Sequence, residues 1–395
     1  MRFLSEKKGE IRFDRHELAG SFGDIGTDLP LIVGIILASG MNASRAFILF
    51  GLVQIMTGYL YRLPMPMQPL KAMAVIIITQ HLTEGVIYGG GFAIGLIMLA
   101  LALSGSLDKL ATLIPRPVIR GIQLGLGLSL AALAVNSYIP TLGEIGYLFA
   151  FAGLIVMIAL WGNDLLPPGL IVIAIGVLWA LLSEANPLKF ASLSHGGIRF
   201  SLPTASEIWA GLILLALPQL PLSLSNSVIA TKQTVSDLFP TKPVSFRKIG
   251  LTYSLANIFT ALFGGVPVCH GCGGLAGHYA FGARTGGSVI IYGSFYVLSG
   301  LMGGTVLARI IHNFPLPLLG VILLCEAAAL LSLIHDQLPS RINLSITLSV
   351  GAAVLCLPYG YLIGIILGTA LYHLAWGMVE RYGKIPLEEG ETQIK

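Results

Sequence analysis

Charged residues are scarce in this chain. Asp, Glu, Lys and Arg make up 11% of its 395 residues, whereas hydrophobic residues make up 55%, and the mean hydropathy is +0.84. Because soluble domains carry about 25% charged residues, this chain has too few to cover a water-facing surface. The composition predicts an all-α polytopic membrane protein with no soluble domain of useful size and no nucleic-acid partner.

Three other features are missing. The chain has no G-x-x-x-x-G-K-[ST] phosphate loop, which argues against an ATP-driven pump. Its four cysteines all lie in apolar or glycine-rich segments, so a disulfide framework is not expected. No apolar signal-peptide core follows the basic N-terminus before residue 18, so we expect no cleaved signal peptide.

Fourteen segments are candidates for membrane spans, because a helix needs about 20 apolar residues to cross a bilayer. They form two sets of seven, and the third member of each set is too short to cross alone. The first set lies near 18–39, 43–61, 67–80, 86–106, 117–137, 146–161 and 167–183. The second set lies near 207–230, 247–263, 270–282, 287–310, 315–334, 341–357 and 359–378.

The basic residues predict the orientation. With a cytoplasmic N-terminus, eighteen of the 23 lysines and arginines fall on the cytoplasmic side of these spans and four on the other side. This bias follows the positive-inside rule. We therefore expect a multi-pass protein of the cell (plasma or inner) membrane with both termini cytoplasmic.

Proline positions recur between the two halves. Pro66 and Pro267 lie 201 positions apart, and Pro30 and Pro221 lie 191 apart. Proline is frequent in membrane helices, which is the alternative explanation. An odd number of spans per half makes the second half enter from the opposite side, which predicts a 7+7 inverted repeat. The expected divisions are a first repeat at 1–183, an extracellular or periplasmic connector at 184–206, a second repeat at 207–378 and a cytoplasmic tail at 379–395.

Two apolar stretches are interrupted at matching places, at 64–71 and 264–274. Extended backbone is tolerated within a membrane only where protein or a watery cavity surrounds it, and paired interruptions indicate a transporter's substrate site. Each precedes a half-helix, numbered 3 and 10 by span, whose N-terminus favours anions. Gly271, Gly273 and Gly274 would let an anion approach the backbone. Alternatively, these glycines only permit close helix packing.

Polar side chains inside apolar spans are costly and are commonly functional. In the eighth span, Gln219, Ser223 and Asn226 have i, i+4, i+7 spacing and would present neutral hydrogen-bonding groups on one face. The first span contains Asp24, Thr27 and Asp28, and Lys71 begins the first half-helix. We interpret Asp24, Asp28 and Lys71 as coupling or charge-balancing groups. A helix cap for Asp24 and a structural ion pair for Lys71 are the alternatives.

Cys269, His270 and Cys272 form a short run of potential metal ligands. Zinc uses such side chains, but a second C-x-x-C pair is missing. A closed metal site would also occupy the space predicted for the anion at the half-helix N-terminus. A thioredoxin-like role lacks the βαβ context. His270 and His278 titrate near neutral pH when unperturbed, so either is a candidate proton site. We predict no metal and no cofactor.

Four separated motifs resemble the molybdate transporter family, which is related to the sulfate permeases. They read Gly23-Asp24-Ile25-Gly26-Thr27, Met67-Gln68-Pro69-Leu70-Lys71, Pro218 to Ala230 and Cys269 to Gly277. The resemblance implies the seven-plus-seven repeat of sulfate permeases and nucleobase symporters, with a core domain (spans 1–4 and 8–11) that moves against a gate domain. It also implies molybdate as substrate, a homodimer through the gate domains, and substrate-site roles for Gln68, Gln219 and Asn226. Cys272 replaces a residue that is usually small, and a C-terminal regulatory domain is not expected.

The predicted function is secondary transport of molybdate by alternating access between half-helices 3 and 10, in contact with membrane lipid and without enzymatic activity. The alternatives are a transporter of sulfate or another oxyanion, an anion channel on the same fold, and a membrane metalloenzyme. The coupling ion is left open between proton, sodium and none. The expected substrate-binding residues are Thr27, Gln68, Gln219, Ser223, Asn226, His270, Gly271, Cys272, Gly273 and Gly274.

Overall fold

A computed structural model describes residues 10–107, 109, 114–161, 167–183, 197–302 and 304–382, and these residues are mostly helical. The α-helices of the first half are α1 (Arg15–Gly20), α2 (Ile25–Ser39), α3 (Ala43–Tyr61), α4 (Lys71–Gln80), α5 (Glu84–Leu103), α6 (Arg116–Leu133), α7 (Gly143–Ala159) and α8 (Pro168–Leu182). Those of the second half are α9 (Ala205–Gly211), α10 (Leu217–Leu222), α11 (Thr231–Leu238), α12 (Phe246–Phe263), α13 (Cys272–Ala280), α14 (Gly287–Leu301), α15 (Gly304–Asn313), α16 (Leu316–Ser332), α17 (Arg341–Cys356) and α18 (Gly360–Tyr382).

Irregular helical turns join several of these helices. They are π-helical at Ala134–Tyr138, Leu212–Ala216 and Ser223–Ala230, and 3-10 at Ile139–Leu142 and Leu333–Gln337. The segment Ala205–Leu238, from α9 to α11, is therefore one continuous helical rod whose hydrogen-bonding pattern changes along its length. Pro218 and Pro221 lie in this rod, and their missing N–H groups explain why the regular pattern is interrupted there.

Among the described residues, six helices are long and apolar enough to cross a membrane, or seven if the bent pair α14 and α15 counts as one. The chain is thus a multi-pass membrane protein. Shorter apolar helices, including α2, α4, α8 and α17, lie beside them. The expected count of fourteen spans is not confirmed by this measure and stays a prediction.

Two predicted spans are divided. The first span, expected at 18–39, breaks between α1 and α2, where glycines allow backbones to touch: a Cβ on Gly23 would lie 2.5 Å from the Gly277 carbonyl carbon. The span expected at 287–310 ends at Leu301, and α15 begins at Gly304. Gly303 and Gly304 are poor helix formers, which favours an interruption there. The predicted connector at 184–206 lies mostly outside the described residues, as does most of the tail.

The two interrupted stretches form a two-stranded antiparallel sheet. β1 (Met67–Pro69) pairs with β2 (Val268–His270) in the register Met67 to His270, Gln68 to Cys269 and Pro69 to Val268. The backbone N–H of Leu70 also donates to the carbonyl of Pro267 at 3.1 Å. The extended segments predicted from the prolines and glycines are therefore observed, and each leads directly into a short helix, α4 or α13.

Candidate anion-binding site

The antiparallel pairing brings the N-termini of α4 and α13 close together. Each strand has three residues, and a strand rises about 3.4 Å per residue, so the two helices leave from opposite ends of a ribbon about 7 Å long. An α-helix N-terminus carries unpaired N–H groups and a partial positive charge. Two such ends at one small sheet create an electropositive centre without a charged residue.

Two buried amide side chains hold the outer edges of this sheet. Gln54 on α3 donates to the Met67 carbonyl at 2.6 Å and accepts from its N–H at 2.9 Å. Asn257 on α12 does the same for Val268, donating to its carbonyl at 2.6 Å and accepting from its N–H at 2.9 Å. Each amide thus replaces the next strand of a sheet, which satisfies backbone groups that would be costly to leave unpaired in a membrane.

The N-terminus of α4 is capped from the eighth predicted span. The Oε1 of Gln219 accepts from the N–H groups of Ala72 at 3.0 Å and Met73 at 3.2 Å. Its Nε2 donates to the Ser223 hydroxyl at 3.3 Å, and that hydroxyl lies 2.7 Å from the hydroxyl of Tyr253. The sequence predicted Gln219 and Ser223 as substrate ligands. In the structure Gln219 presents an acceptor oxygen to the helix end.

The N-terminus of α13 has no side-chain cap. Its first residue, Cys272, donates through Sγ to the Oδ1 of Asn226 at 3.1 Å. Gly273 is exposed, and a Cβ placed on it would meet no heavy atom within 4 Å. The two half-helices therefore differ: the first is closed by Gln219, whereas the second presents accessible backbone beside Asn226.

Lys71, the first residue of α4, forms an ion pair with Glu326 of α16. The Oε2 of Glu326 also accepts from the Thr27 hydroxyl of α2 at 3.3 Å. An ion pair was the alternative expected for Lys71, but Glu326 was not predicted as its partner. The partner actually used comes from a different helix, so a sequence motif in the first span does not reveal it.

Asp24 contacts the middle of β1 and the first turn of α13. Its Oδ1 accepts from Gln68 Nε2 at 2.6 Å, and both residues are buried. Asp24 Oδ2 and Gln68 Oε1 have no hydrogen-bond partner in the structure. Each of these two oxygens packs against a glycine, Asp24 against Gly274 and Gln68 against Gly271, where a side chain would collide with it. The glycines predicted to admit an anion therefore also make room for Asp24 and Gln68.

Asp28 lies one turn further into α2. It is fully buried, and its Oδ2 accepts from the Tyr292 hydroxyl at 2.9 Å. Tyr292 in turn lies 3.1 Å from the hydroxyl of Tyr296, and both tyrosines belong to α14. The other carboxylate oxygen, Oδ1, has no partner. The side chain of Asp28 is thus a buried carboxyl whose one hydrogen bond comes from a neutral hydroxyl group.

His270 and Cys269 have different surroundings, although they are neighbours in β2. His270 Nε2 lies 2.7 Å from the Thr252 hydroxyl, and its ring packs edge-on against Tyr61. Cys269 is opposite Gln68 in the sheet. Strand alternation sends these two side chains to opposite faces, and the described residues contain no group of three or more His, Cys, Asp or Glu placed to bind a metal ion.

A cavity of about 190 Å³ reaches this region from one side. It lies among the start of α2, the start of α8 and the middle of α16, and it is bordered by Phe22 and Phe281. Its polar lining comes from Thr27 and Glu326. Glu326 therefore lies between the cavity and Lys71.

The predicted residues form several separate contacts near the small sheet. Gln68 bonds to Asp24, Cys272 bonds to Asn226, and Gln219 caps α4. Lys71 pairs with Glu326, which Thr27 also contacts. His270 points to Thr252 and Tyr61 instead, and its predicted role in binding stays untested. Glu326 was missed, although it is the one Asp, Glu, Lys or Arg in the apolar sequence of α16, which is a recognisable signal of function in a membrane span.

The fold matches solved anion transporters. The transmembrane domain of the cyanobacterium bicarbonate transporter BicA superposes with a TM-score of 0.66 at 16% identity, over 92% of this chain and 98% of that one. The murine Solute Carrier 26 family member A9 anion transporter in the inward-facing state gives a TM-score of 0.69 at 13% identity, over 95% and 69%. The chain is a membrane protein of this anion-transporter fold class.

Sequence comparison gives the family. The model described as "Molybdate transporter of MFS superfamily" matches residues 16–130 and 211–330. Molybdate transporter 2 of Arabidopsis thaliana is 34% identical over 78% of this chain and 76% of its own length. Molybdate transporter 1 of Arabidopsis thaliana is 30% identical over 95% and 92%. The chain belongs to the molybdate transporter family, and the resemblance seen in its motifs is confirmed.

Proposed function

We propose that this protein is a secondary transporter that moves molybdate across the membrane by alternating access. The observation that carries the proposal is the open N-terminus of α13, where Gly273 is exposed next to Cys272 and its partner Asn226. Lys71 of the first half-helix is close enough to interact electrostatically with Cys272. Backbone N–H groups at a helix end bind oxyanions well. A tetrahedral oxyanion here would accept hydrogen bonds from this helix end and from the Asn226 amide, while Lys71 supplies positive charge.

The two-fold character of the site supports an inverted repeat. Each half supplies one strand, one half-helix and one amide clamp, and the clamps Gln54 and Asn257 lie 203 positions apart, close to the spacing of Pro66 and Pro267. In this proposal residues 1–183 and 207–378 are the repeats, and α1–α5 and α9–α14 form a core that moves substrate against a gate built from the other spans. A homodimer through that gate, in the cell membrane with both termini cytoplasmic, completes the proposal.

Charge balance favours proton coupling. Asp24, Asp28 and Glu326 interact electrostatically with one another and with a single lysine, Lys71. With all four ionised the cluster would carry a net charge of −2, and a bound dianion would add two more negative charges in a region of low dielectric. Protons on Asp24 and Asp28 remove this repulsion. We therefore assign these two residues as the coupling groups.

Sodium fits this cluster less well than a proton. The unpartnered oxygens of Asp24 and Gln68 pack directly against the backbone of Gly274 and Gly271. A metal ion requires several oxygen ligands and the space to hold them, whereas a proton requires neither. The close packing therefore supports the proton over sodium.

The test is uptake of molybdate by the purified protein in liposomes, with and without an inward proton gradient and with sulfate as competitor. The proposal expects uptake that saturates, is driven by the gradient and is inhibited little by sulfate. Equal transport of sulfate would contradict molybdate selectivity. Flux that never saturates would instead indicate the alternative function, an anion channel on the same fold.

A further inference from the structure

Glu326 connects three separate elements of the protein. Its carboxylate lies on α16, pairs with Lys71 of α4 and accepts a hydrogen bond from Thr27 of α2. Lys71 is the only buried lysine or arginine in the part of the chain that the structure describes. The one buried cation of the candidate site is therefore bound by a carboxylate that the protein itself supplies.

The Glu326 carboxylate occupies a place suited to a bound anion. It contacts the lysine at the first turn of a half-helix, where positive helix-end potential also acts. An oxyanion that reached Lys71 would offer the same kind of charged oxygen to the same ammonium group. The two anions would also repel each other, so simultaneous binding close to Lys71 is unfavourable.

The cavity indicates how Glu326 can be reached. Thr27 and Glu326 line the 190 Å³ cavity, and the Glu326 side chain remains 22% exposed, whereas that of Lys71 is 8% exposed. An ion arriving through this cavity meets Glu326 before it meets Lys71. A buried ion pair contributes little net stability compared with apolar contacts. An ion pair with only a structural role would therefore have no need of a carboxylate that an incoming ion can reach.

We propose that Glu326 is an internal competitor of the substrate: the oxyanion displaces Glu326 from Lys71, and this displacement separates α16 from α4. The inference rests on the proposed function. It links binding to movement, since the ion pair is a direct contact between α4 of the proposed core and α16 of the proposed gate. It also limits affinity, because Glu326 returns to Lys71 when the substrate leaves and so assists release.

The test compares the full-length wild-type protein with Glu326→Gln, measuring molybdate binding by calorimetry and uptake in liposomes. Glutamine keeps the shape of the side chain but removes its charge. Molybdate affinity is expected to increase by about tenfold or more, the scale expected when a like charge a few ångströms away is removed from a partly buried site. The maximal uptake rate should fall, because release becomes slower. Unchanged or weaker binding by folded Glu326→Gln protein would overturn the inference.

A matched control is available in the turn that directly follows α16. Asp336, in the 3-10 turn that follows α16, pairs with Arg120 of α6 at 2.5 Å, and its side chain is 41% exposed. Asp336→Asn also removes one ion pair, but at a position ten residues after Glu326, and should leave affinity unchanged. If the wild-type protein neither binds nor transports molybdate, the proposed function itself fails, which is distinct from failure of the competitor role.

A charge exchange covers the case in which Glu326→Gln does not fold. The double variant Lys71→Glu, Glu326→Lys restores an ion pair between α4 and α16, so folding should recover. It places a carboxylate at the α4 N-terminus, so molybdate binding should be lost. Wild-type binding by the exchanged protein would show that the pair serves only to join the two helices, and the inference would be wrong.

Discussion

Gln219 caps the helix that begins next to Lys71, with its Oε1 3.0 Å from the N–H of Ala72. An acceptor oxygen at this position fills the place that an anion would take at a helix end. The first half-helix is therefore stabilised by the protein itself, and the second is left for substrate. This difference between two halves of similar sequence organisation is the basis of the first two predictions.

Replacing Gln219 by Ala should destabilise the protein and reduce uptake. The change leaves the N–H groups of Ala72 and Met73 without their acceptor, and loss of a helix cap costs about 1 kcal/mol. We expect a lower thermal midpoint in detergent for Gln219→Ala. Gln233, on the same rod but exposed and bonded to Asp237, provides the control. If Gln233→Ala and Gln219→Ala behave alike, the cap has no special importance.

Gly273 and Gly274 should respond differently to the same substitution. A methyl group on Gly273 meets nothing, whereas one on Gly274 collides with Asp24 Oδ2. Gly273→Ala should therefore fold normally but bind molybdate more weakly, because the methyl group covers the helix end. Gly274→Ala should lose stability by about 1–3 kcal/mol, the usual cost of overpacking. Thermal unfolding and calorimetric binding separate the two effects; the reverse pattern would contradict the assignment of the open helix end.

The amide clamps should be equivalent in effect. Gln54→Ala leaves both backbone groups of Met67 unpaired, and Asn257→Ala does the same at Val268. Each unsatisfied buried group costs about 1–3 kcal/mol. We expect both variants to lose stability and molybdate affinity together, since the sheet positions both half-helices. Retained affinity in both variants would show that the sheet does not organise the site.

His270 provides a test of the predicted site itself. Its contacts with Thr252 and Tyr61 are directed away from Gln68. His270→Ala should destabilise the fold by about 2 kcal/mol or more, from the cavity and the lost hydrogen bond. The KM for uptake by the remaining folded protein should be unchanged. A large rise in KM with normal stability would instead support the predicted contact with substrate.

The sequence was informative where composition and spacing determine structure. The interrupted segments, the short helices α4 and α13 and the polar cluster around Gln68 follow from prolines, glycines and polar residues within apolar stretches. The partners of these residues do not follow, because they depend on which helices pack together. Lys71 pairs with Glu326, 255 positions away, and Gln219 bonds to backbone 147 positions away. No local pattern encodes such contacts.

The break in the first span was also not predicted. Gly20 and Gly23 were not recognised as contact points, since their role appears only when α13 and the turn after it lie against them. A Cβ on Gly20 would be 2.5 Å from that of Ala283.

Asp28 provides the most direct test of proton coupling. It is buried, and its neighbours Tyr292 and Tyr296 carry no charge in their ordinary state. If Asp28 binds a proton together with the substrate, uptake by the wild-type protein should increase as the external pH falls. Asparagine resembles the protonated form and still accepts the Tyr292 hydrogen bond, so Asp28→Asn should fold and bind molybdate. Its uptake should respond less to a proton gradient than that of the wild-type protein, because only Asp24 still takes up a proton.

The control for this experiment is Tyr292→Phe, which removes the hydrogen bond but keeps the carboxyl group. That variant should retain gradient-driven uptake, although with lower stability. Uptake is measured in liposomes at equal internal pH and stepped external pH, with protein folding checked by size exclusion. If Asp28→Asn remains as responsive to the gradient as the wild-type protein, Asp28 does not carry the proton. The charge balance would then depend on Asp24 alone, whose hydrogen bond to Gln68 links it directly to β1.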